Sequence, residues 1–304
     1  MSQAEAERLS GDATLSRRAA TKGAATKGAA TKGSPTKARS RVVEWLLIAT
    51  VVLYAAGLLI GPLVAIFWTA FGEGVTAFAR EITSRDAMES LKLTMILAVA
   101  ATVINTIFGM AVAWVLVRDD FRGKRFINGL VDMPFAVSPV IAGFMLILLF
   151  GREGWFEPLG EALGIKIVFA VPGMLLATIF ISLPFVIREV MPVLAQVSED
   201  QENAAYTMGA SPWQTFWHVT LPSIKWGLLY GVSLTFARAV GEIGAVLVVS
   251  GGVSRLTETS TLFIFRSLDD RNYVGAYSMA VVLAAISFII LMAIEFLKKR
   301  TEEH

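Results

Sequence analysis

Arg238 and Glu242 stand four residues apart inside an otherwise apolar run, LLYGVSLTFARAVGEIGAVLVVSG. Opposite charges at this spacing fall on one face of a helix and can neutralise each other. An isolated charge in the middle of a bilayer costs about 2.5–3.5 kcal/mol on insertion scales, so such residues face a protein interior or a water-filled path. Two uses remain open from the residues alone. The pair is a structural ion pair, or Arg238 lends positive potential to an anion path while Glu242 holds it in position. Chemistry of other kinds finds no residues. Cysteine is absent, which excludes disulfides, thiolate metal sites and iron–sulfur clusters. The two histidines, His218 and His304, have no metal-ligand spacing. Gly23 and Gly28 have the spacing of a phosphate-binding loop, but Ala29 stands where its lysine belongs and no strand precedes it. Catalysis and nucleotide binding therefore have no candidates, and the expectation is a chain with no cofactor of its own.

A second polar stretch, SEDQENAAYTMGASPWQTFWHVTLP (198–222), leads into that run. Ser198 with Gln201 fits a capping box, and Glu199 and Asp200 favour a first helical turn. A short helix over about 199–208 follows. Gly209 suits the left-handed position that stops it. Ser211 suits an N-cap and Pro212 a first helical position, so a second short helix starts there. Leu221 and Pro222 are expected to end it. Two short helices joined by a glycine elbow would be stiff enough to pass force from a soluble partner into the span beyond.

The rest of the chain supplies a membrane setting. Hydrophobic residues make up 55% and charged residues 17%, with a mean hydropathy of +0.63, against about 45–50% and about 25% in soluble domains. The surplus is gathered into six apolar spans, approximately 45–70, 91–117, 126–150, 167–187, 227–250 and 275–297. Each is long enough for a membrane-crossing helix, the only open-ended element that satisfies its own backbone in lipid. The expected fold is therefore an all-α integral membrane protein with six transmembrane helices. Basic residues gather before the first span, in the 118–125 loop and at the C-terminal tail. The positive-inside rule then places both termini and the 188–226 loop in the cytoplasm. Residues 1–41 carry the repeat AATKG and no apolar run, and are expected to be a disordered basic tail ahead of a 42–300 membrane domain. Its lysines suit a solvated tail or a contact with anionic lipid. A net charge of +2 gives no reason to expect nucleic acid as a partner.

Prolines punctuate the spans. DMPFAVSPVIAGF (132–144) carries Pro134 and Pro139 near a helix start and predicts a bend or unwound turn. Asp132, Ser138 and Pro139 are candidates for the path if the bend lines one, and the alternative is a structural kink. Gly57 with Gly61, and Gly227 with Gly231, have the spacing that permits close helix contact.

NAAYTMG followed by Val219, Leu221 and Pro222 resembles the cytoplasmic loop of binding-protein-dependent ABC permeases, written EAA, three residues, Gly, nine residues, Ile, one residue, Leu-Pro. The matching positions are Ala204, Ala205, Gly209, Leu221 and Pro222; Val219 replaces isoleucine and Asn203 replaces the glutamate, with Glu202 one residue early. ARAVGEIGA is similar to a signature of sulfate, thiosulfate, molybdate and tungstate importers, and DMPFAVSP and LVVSGG resemble the CysW-type subunit of the sulfate/thiosulfate system over about 45–300. The resemblance implies a type I importer permease of MetI-like architecture in the cell inner membrane, moving the anion by alternating access. It implies a heterodimer with a second permease, two copies of a cytoplasmic ATPase that carries ATP and Mg, and an extracytoplasmic sulfate-binding protein. Glu202, Asn203, Ala204, Ala205, Gly209, Ser211, Pro212, Leu221 and Pro222 would carry ATPase coupling. A molybdate or tungstate permease, or an ion-coupled secondary anion carrier, are the competing readings.

Overall fold

A computed structural model describes residues 40–302, and they are helical apart from short connections. The expected 1–41 tail lies outside the described residues except for its last two, which already belong to the first helix. Packing divides the chain at Gly61–Pro62. The described part of the first unit is residues 40–61 of α1 (Ser40–Phe71), an apolar helix with Pro62 inside it. A Cβ at Gly57 or Gly61 would meet nothing within 4 Å.

The second unit contains α2 (Val75–Ile82), α3 (Arg85–Arg118), α4 (Lys124–Ala136), α5 (Pro139–Phe150), α6 (Glu157–Leu163) and α7 (Val171–Gln196). The short helices α8 (Glu199–Thr207) and α9 (Pro212–Thr215) follow, then α10 (Leu221–Val240), α11 (Gly244–Val249), α12 (Ser260–Asp269) and α13 (Tyr273–Glu302). Its core is the packing of α3, α7 and α10. Met110, Ala113 and Leu116 meet Val186, Ile187, Val190 and Leu194, with Ile224 and Val131 completing the cluster. Small residues set the approach. A Cβ at Gly227 would come within 2.6 Å of Val193 Cγ2, and one at Gly231 within 3.2 Å of Val186 Cα. The close contact expected of that glycine pair is made, because neighbouring backbones approach where side chains are missing. Asn105, fully buried on α3, donates to Ser182 Oγ at 2.9 Å and to the Ile179 carbonyl at 3.1 Å, pinning α3 to α7.

The six expected spans are redrawn in three places. Four helices among the described residues are long and apolar enough to cross a membrane, within α1, α3, α7 and α13. The 126–150 span is α4 and α5, bent by 112° at Val137–Ser138, which counts as a fifth span if the pair is taken as one. Pro139 has no N–H to offer α4, so the helix stops and restarts with that proline in its first turn. The 167–187 span runs on to Gln196, so Arg188 sits inside a helix and not in a loop. The 227–250 span is two helices, interrupted at Gly241–Ile243.

Candidate functional site

The two short helices form close to their expected places. Ser198 caps α8, but its hydroxyl accepts from the Asp200 N–H at 3.1 Å, and Gln201 does not complete a box. The reciprocal box belongs to α9, where Ser211 Oγ accepts from the Gln214 N–H and Gln214 Oε1 from the Ser211 N–H at 2.8 Å. Gly209 has φ +86°, the left-handed value that only glycine adopts without strain. The expected stop at Leu221–Pro222 is absent. Phe216–Thr220 forms a wide π-type turn, and the Leu221 N–H reaches back five residues to the Phe216 carbonyl. That wider closure lets the backbone pass a proline without ending the helix. α9 therefore runs into α10 as one rod with a bulge, and Leu221 and Pro222 open α10.

α8 has two unlike faces. Asn203 and Ala204 are exposed, whereas Glu202 and Ala205 are buried. Glu202 thus points into the fold. Its Oε1 accepts from Arg118 Nη2 at 2.9 Å and from Thr220 Oγ1 at 3.1 Å. The sequence reading grouped Glu202 with the coupling residues from the motif alone; its spacing from Ala205 at i, i+3 was the available signal that the two share a buried face. Tyr206, Met208, Trp213 and Trp217 are exposed along the same end, and Ser211 and Pro212 are exposed beside them.

The charges expected near the path fall in two separate pairs. Arg238, in the last turn of α10, brings Nη1 within 2.7 Å of Glu242 Oε2. Glu242 is in the break, not on the helix, and its side chain is 2% exposed. Its Oε1 accepts from the Ala245 N–H at 2.9 Å and so starts α11, and Thr261 Oγ1 donates to its carbonyl. Oε2 receives no hydrogen bond of good geometry. Arg238 is 31% exposed and donates no hydrogen bond to a described acceptor. It is charge-balanced but not saturated.

The second pair went unread in the sequence, because Arg188 was assigned to a loop. Arg188 Nε and Nη2 grip Asp132 at 2.7 and 2.6 Å, Nη1 donates to Asn128 Oδ1 and Nη2 to the Asn128 carbonyl, both at 3.0 Å. Asp132 is therefore a partner of Arg188. Ser138 is exposed at the bend and its hydroxyl caps nothing.

The two interruptions pack on each other. A Cβ at Gly244 would lie 2.8 Å from Pro139 Cβ, and one at Gly143 would lie 2.9 Å from the Ala245 carbonyl oxygen. The bend carrying Ser138 and Pro139 is thereby held against the break carrying Glu242. On the other side of α11 the loop before α12 is tied by Arg266, whose Nε donates to buried Glu258 at 2.6 Å. That carboxylate holds the guanidinium protonated beyond its ordinary range.

Residues 105–303 match the family described as binding-protein-dependent transport system inner membrane component. The chain is 47% identical over 264 residues to the sulfate transport system permease protein CysW of Synechocystis sp., covering 86% of this chain and 95% of that one. It is 40% identical to the protein of that name in Escherichia coli K12, over 85% of this chain and 89% of that one. It is 43% identical to the chloroplastic sulfate permease 2 of Chlamydomonas reinhardtii, over 86% and 70%. Among solved structures, a bacterial ABC transporter that imports alginate superposes with a TM-score of 0.71 at 16% identity, over 86% of this chain and 96% of that one. An inward-facing methionine ABC transporter does so at 0.53 and 17% identity, over 72% and 99%. At those identities the likeness is one of fold.

Proposed function

The chain belongs to the binding-protein-dependent inner membrane components of ABC importers, among the CysW-type sulfate permeases, and on that premise we propose that it forms part of the path by which sulfate or thiosulfate enters the cell. The observation that carries the anion assignment is Arg238. A guanidinium 31% exposed, with Nη1 held 2.7 Å from a buried carboxylate and Nε and Nη2 without a described acceptor, suits a weakly held oxyanion in transit. A fully committed arginine could not take one, and an unbalanced one would hold it too tightly to release.

The relatives named above are sulfate permeases, and a binding protein is the partner type that the family name itself prints. The finer assembly is part of the proposal. A second permease pairs with this chain, and two ATPase copies dock from the cytoplasm, bringing ATP and Mg. Both termini and α8–α9 face that side. ATPase closure moves α8 and α9, and α10 carries the motion to Arg238. The exposed face of α8 with Asn203 and Ala204 meets the ATPase. Asn203 brings hydrogen bonds and no charge, so this contact does not depend on an ion pair at 203.

Uptake of radiolabelled sulfate tests the reading, in a strain lacking its own sulfate importer and supplied with this chain and its partner genes. Vanadate should abolish uptake, and excess molybdate should compete weakly. Vanadate-resistant uptake that collapses with an uncoupler would replace the ABC reading by an ion-driven carrier. Strong competition by molybdate would move the substrate assignment.

A further inference from the structure

We infer that Arg118 is a positioning residue that makes the short helix α8 and the long helices move as one piece. The inference rests on the reading above, that an ATPase acts on α8.

Arg118 is the last residue of α3, and its side chain is 10% exposed. Nη2 donates to Glu202 Oε1 at 2.9 Å and to the Val197 carbonyl at 3.1 Å, and Nη1 lies 3.8 Å from Glu199 Oε1. The Val197 carbonyl belongs to the residue that closes α7. Glu202 Oε1 accepts a second bond from Thr220 Oγ1, on a fully buried residue in the turn that opens α10. One guanidinium and one carboxylate oxygen thus join the ends of α3 and α7, the start of α10, and α8.

A clasp to one neighbour would fasten α8 in place. A clasp to two neighbours, one of them tied in turn to the end of α7, also prevents it from tilting alone. Any shift of α8 against α3 or α10 must break a charge-assisted hydrogen bond, α3 is tied in turn to the end of α7, and water is nearly excluded from the site as a replacement. α8 therefore drags the ends of all three helices. Among them α10 is the rod that holds Arg238, about 27 Å from Thr220 at 1.5 Å per residue. Asn203 and Ala204 stay exposed on the other side of α8, free to receive the push.

The test uses the complete complex in proteoliposomes, with loaded binding protein outside and ATP inside. The readout is anions imported per ATP hydrolysed, alongside assembly by size exclusion. Arg118→Gln should assemble and still hydrolyse ATP, but import about five-fold fewer anions per ATP, the effect of losing interactions of ordinary strength. Arg118→Lys, which keeps the charge but not the fork, should recover part of the ratio. Thr220→Val removes one hydroxyl and should lower it about two-fold, as loss of a single hydrogen bond would. An unchanged ratio in assembled Arg118→Gln overturns the inference. Should Arg118→Gln not assemble, an unchanged ratio in Thr220→Val does so instead. A wild-type complex without ATP-dependent uptake would overturn the proposed function and is separately visible.

Discussion

Arg188 and Arg238 each pair with a carboxylate inside the helical bundle, yet one is spent and the other is not. Arg188 joins α7 to α4, with Nε, Nη1 and Nη2 all donating to Asp132 or Asn128. Arg238 has Nη1 2.7 Å from Glu242 Oε2, and Nε and Nη2 have no described acceptor. The two have almost equal exposure, 30% and 31%. Exposure and charge therefore do not distinguish the two arginines; the donors left without a described acceptor do. The partner carboxylates differ in the same sense. Asp132 is half exposed and serves one arginine, while Glu242 is buried and also starts α11.

This contrast can be broken most severely at Arg238. Arg238→Gln should abolish uptake, and it should also destabilise the complex by about 3–5 kcal/mol because Glu242 is left buried and unpaired. Adding Glu242→Gln should restore expression without restoring uptake, which separates the two effects by thermal melting and sulfate uptake. At Arg188 the ordering should reverse. Arg188→Gln should cost about 1–2 kcal/mol, discounted because the pair is partly solvated, while uptake per assembled complex stays near normal. Uptake lost without a fall in melting temperature would place Arg188 in the path.

The next two perturbations act on what positions Arg238. Gly143→Ala forces a methyl group to within 2.9 Å of the Ala245 carbonyl and of Val248 Cβ. Overpacking of that kind costs about 1–3 kcal/mol and should separate the bend from the break, lowering uptake more than ATPase activity. Gly209→Val meets no steric obstacle but must hold a β-branched residue at φ +86°, a strain of about 1–2 kcal/mol. Substrate-stimulated ATPase activity should fall while assembly persists. Unchanged stimulation would remove the elbow from the coupling route. The smallest effect is expected at Arg266, whose folded-state pKa is raised by Glu258. A raised folded pKa stabilises below the unfolded value and is lost only as pH climbs through the folded one. Melting between pH 7 and pH 9 should therefore show no loss attributable to this pair.

The sequence made the two short helices legible because caps, glycines and prolines act locally. Gly209, Ser211 and Pro212 fall where turn chemistry puts them. The bend at Pro139 was readable for the same reason. The break at 241–243 was not, since Gly241 and Gly244 inside an apolar run look like packing glycines until Glu242 is seen to cap α11. Arg188 was misplaced because a charge near the end of an apolar run is easily taken for the run's boundary. Its partner lies 56 positions away in the chain, and no local pattern announces such a pair. The Arg118–Glu202–Thr220 junction was hidden likewise, except that Glu202 and Ala205 share a helical face.

The central claim is that Arg238 meets the anion and Arg188 does not. Lysine keeps the charge at either position and removes the planar fork. Uptake of radiolabelled sulfate per assembled complex, measured side by side for Arg238→Lys and Arg188→Lys, tests it directly. Uptake at least about ten-fold lower for Arg238→Lys, equivalent to about 1.4 kcal/mol, with near-normal uptake for Arg188→Lys, is the predicted result. Equal uptake by the two variants, or the greater loss at Arg188, would contradict it.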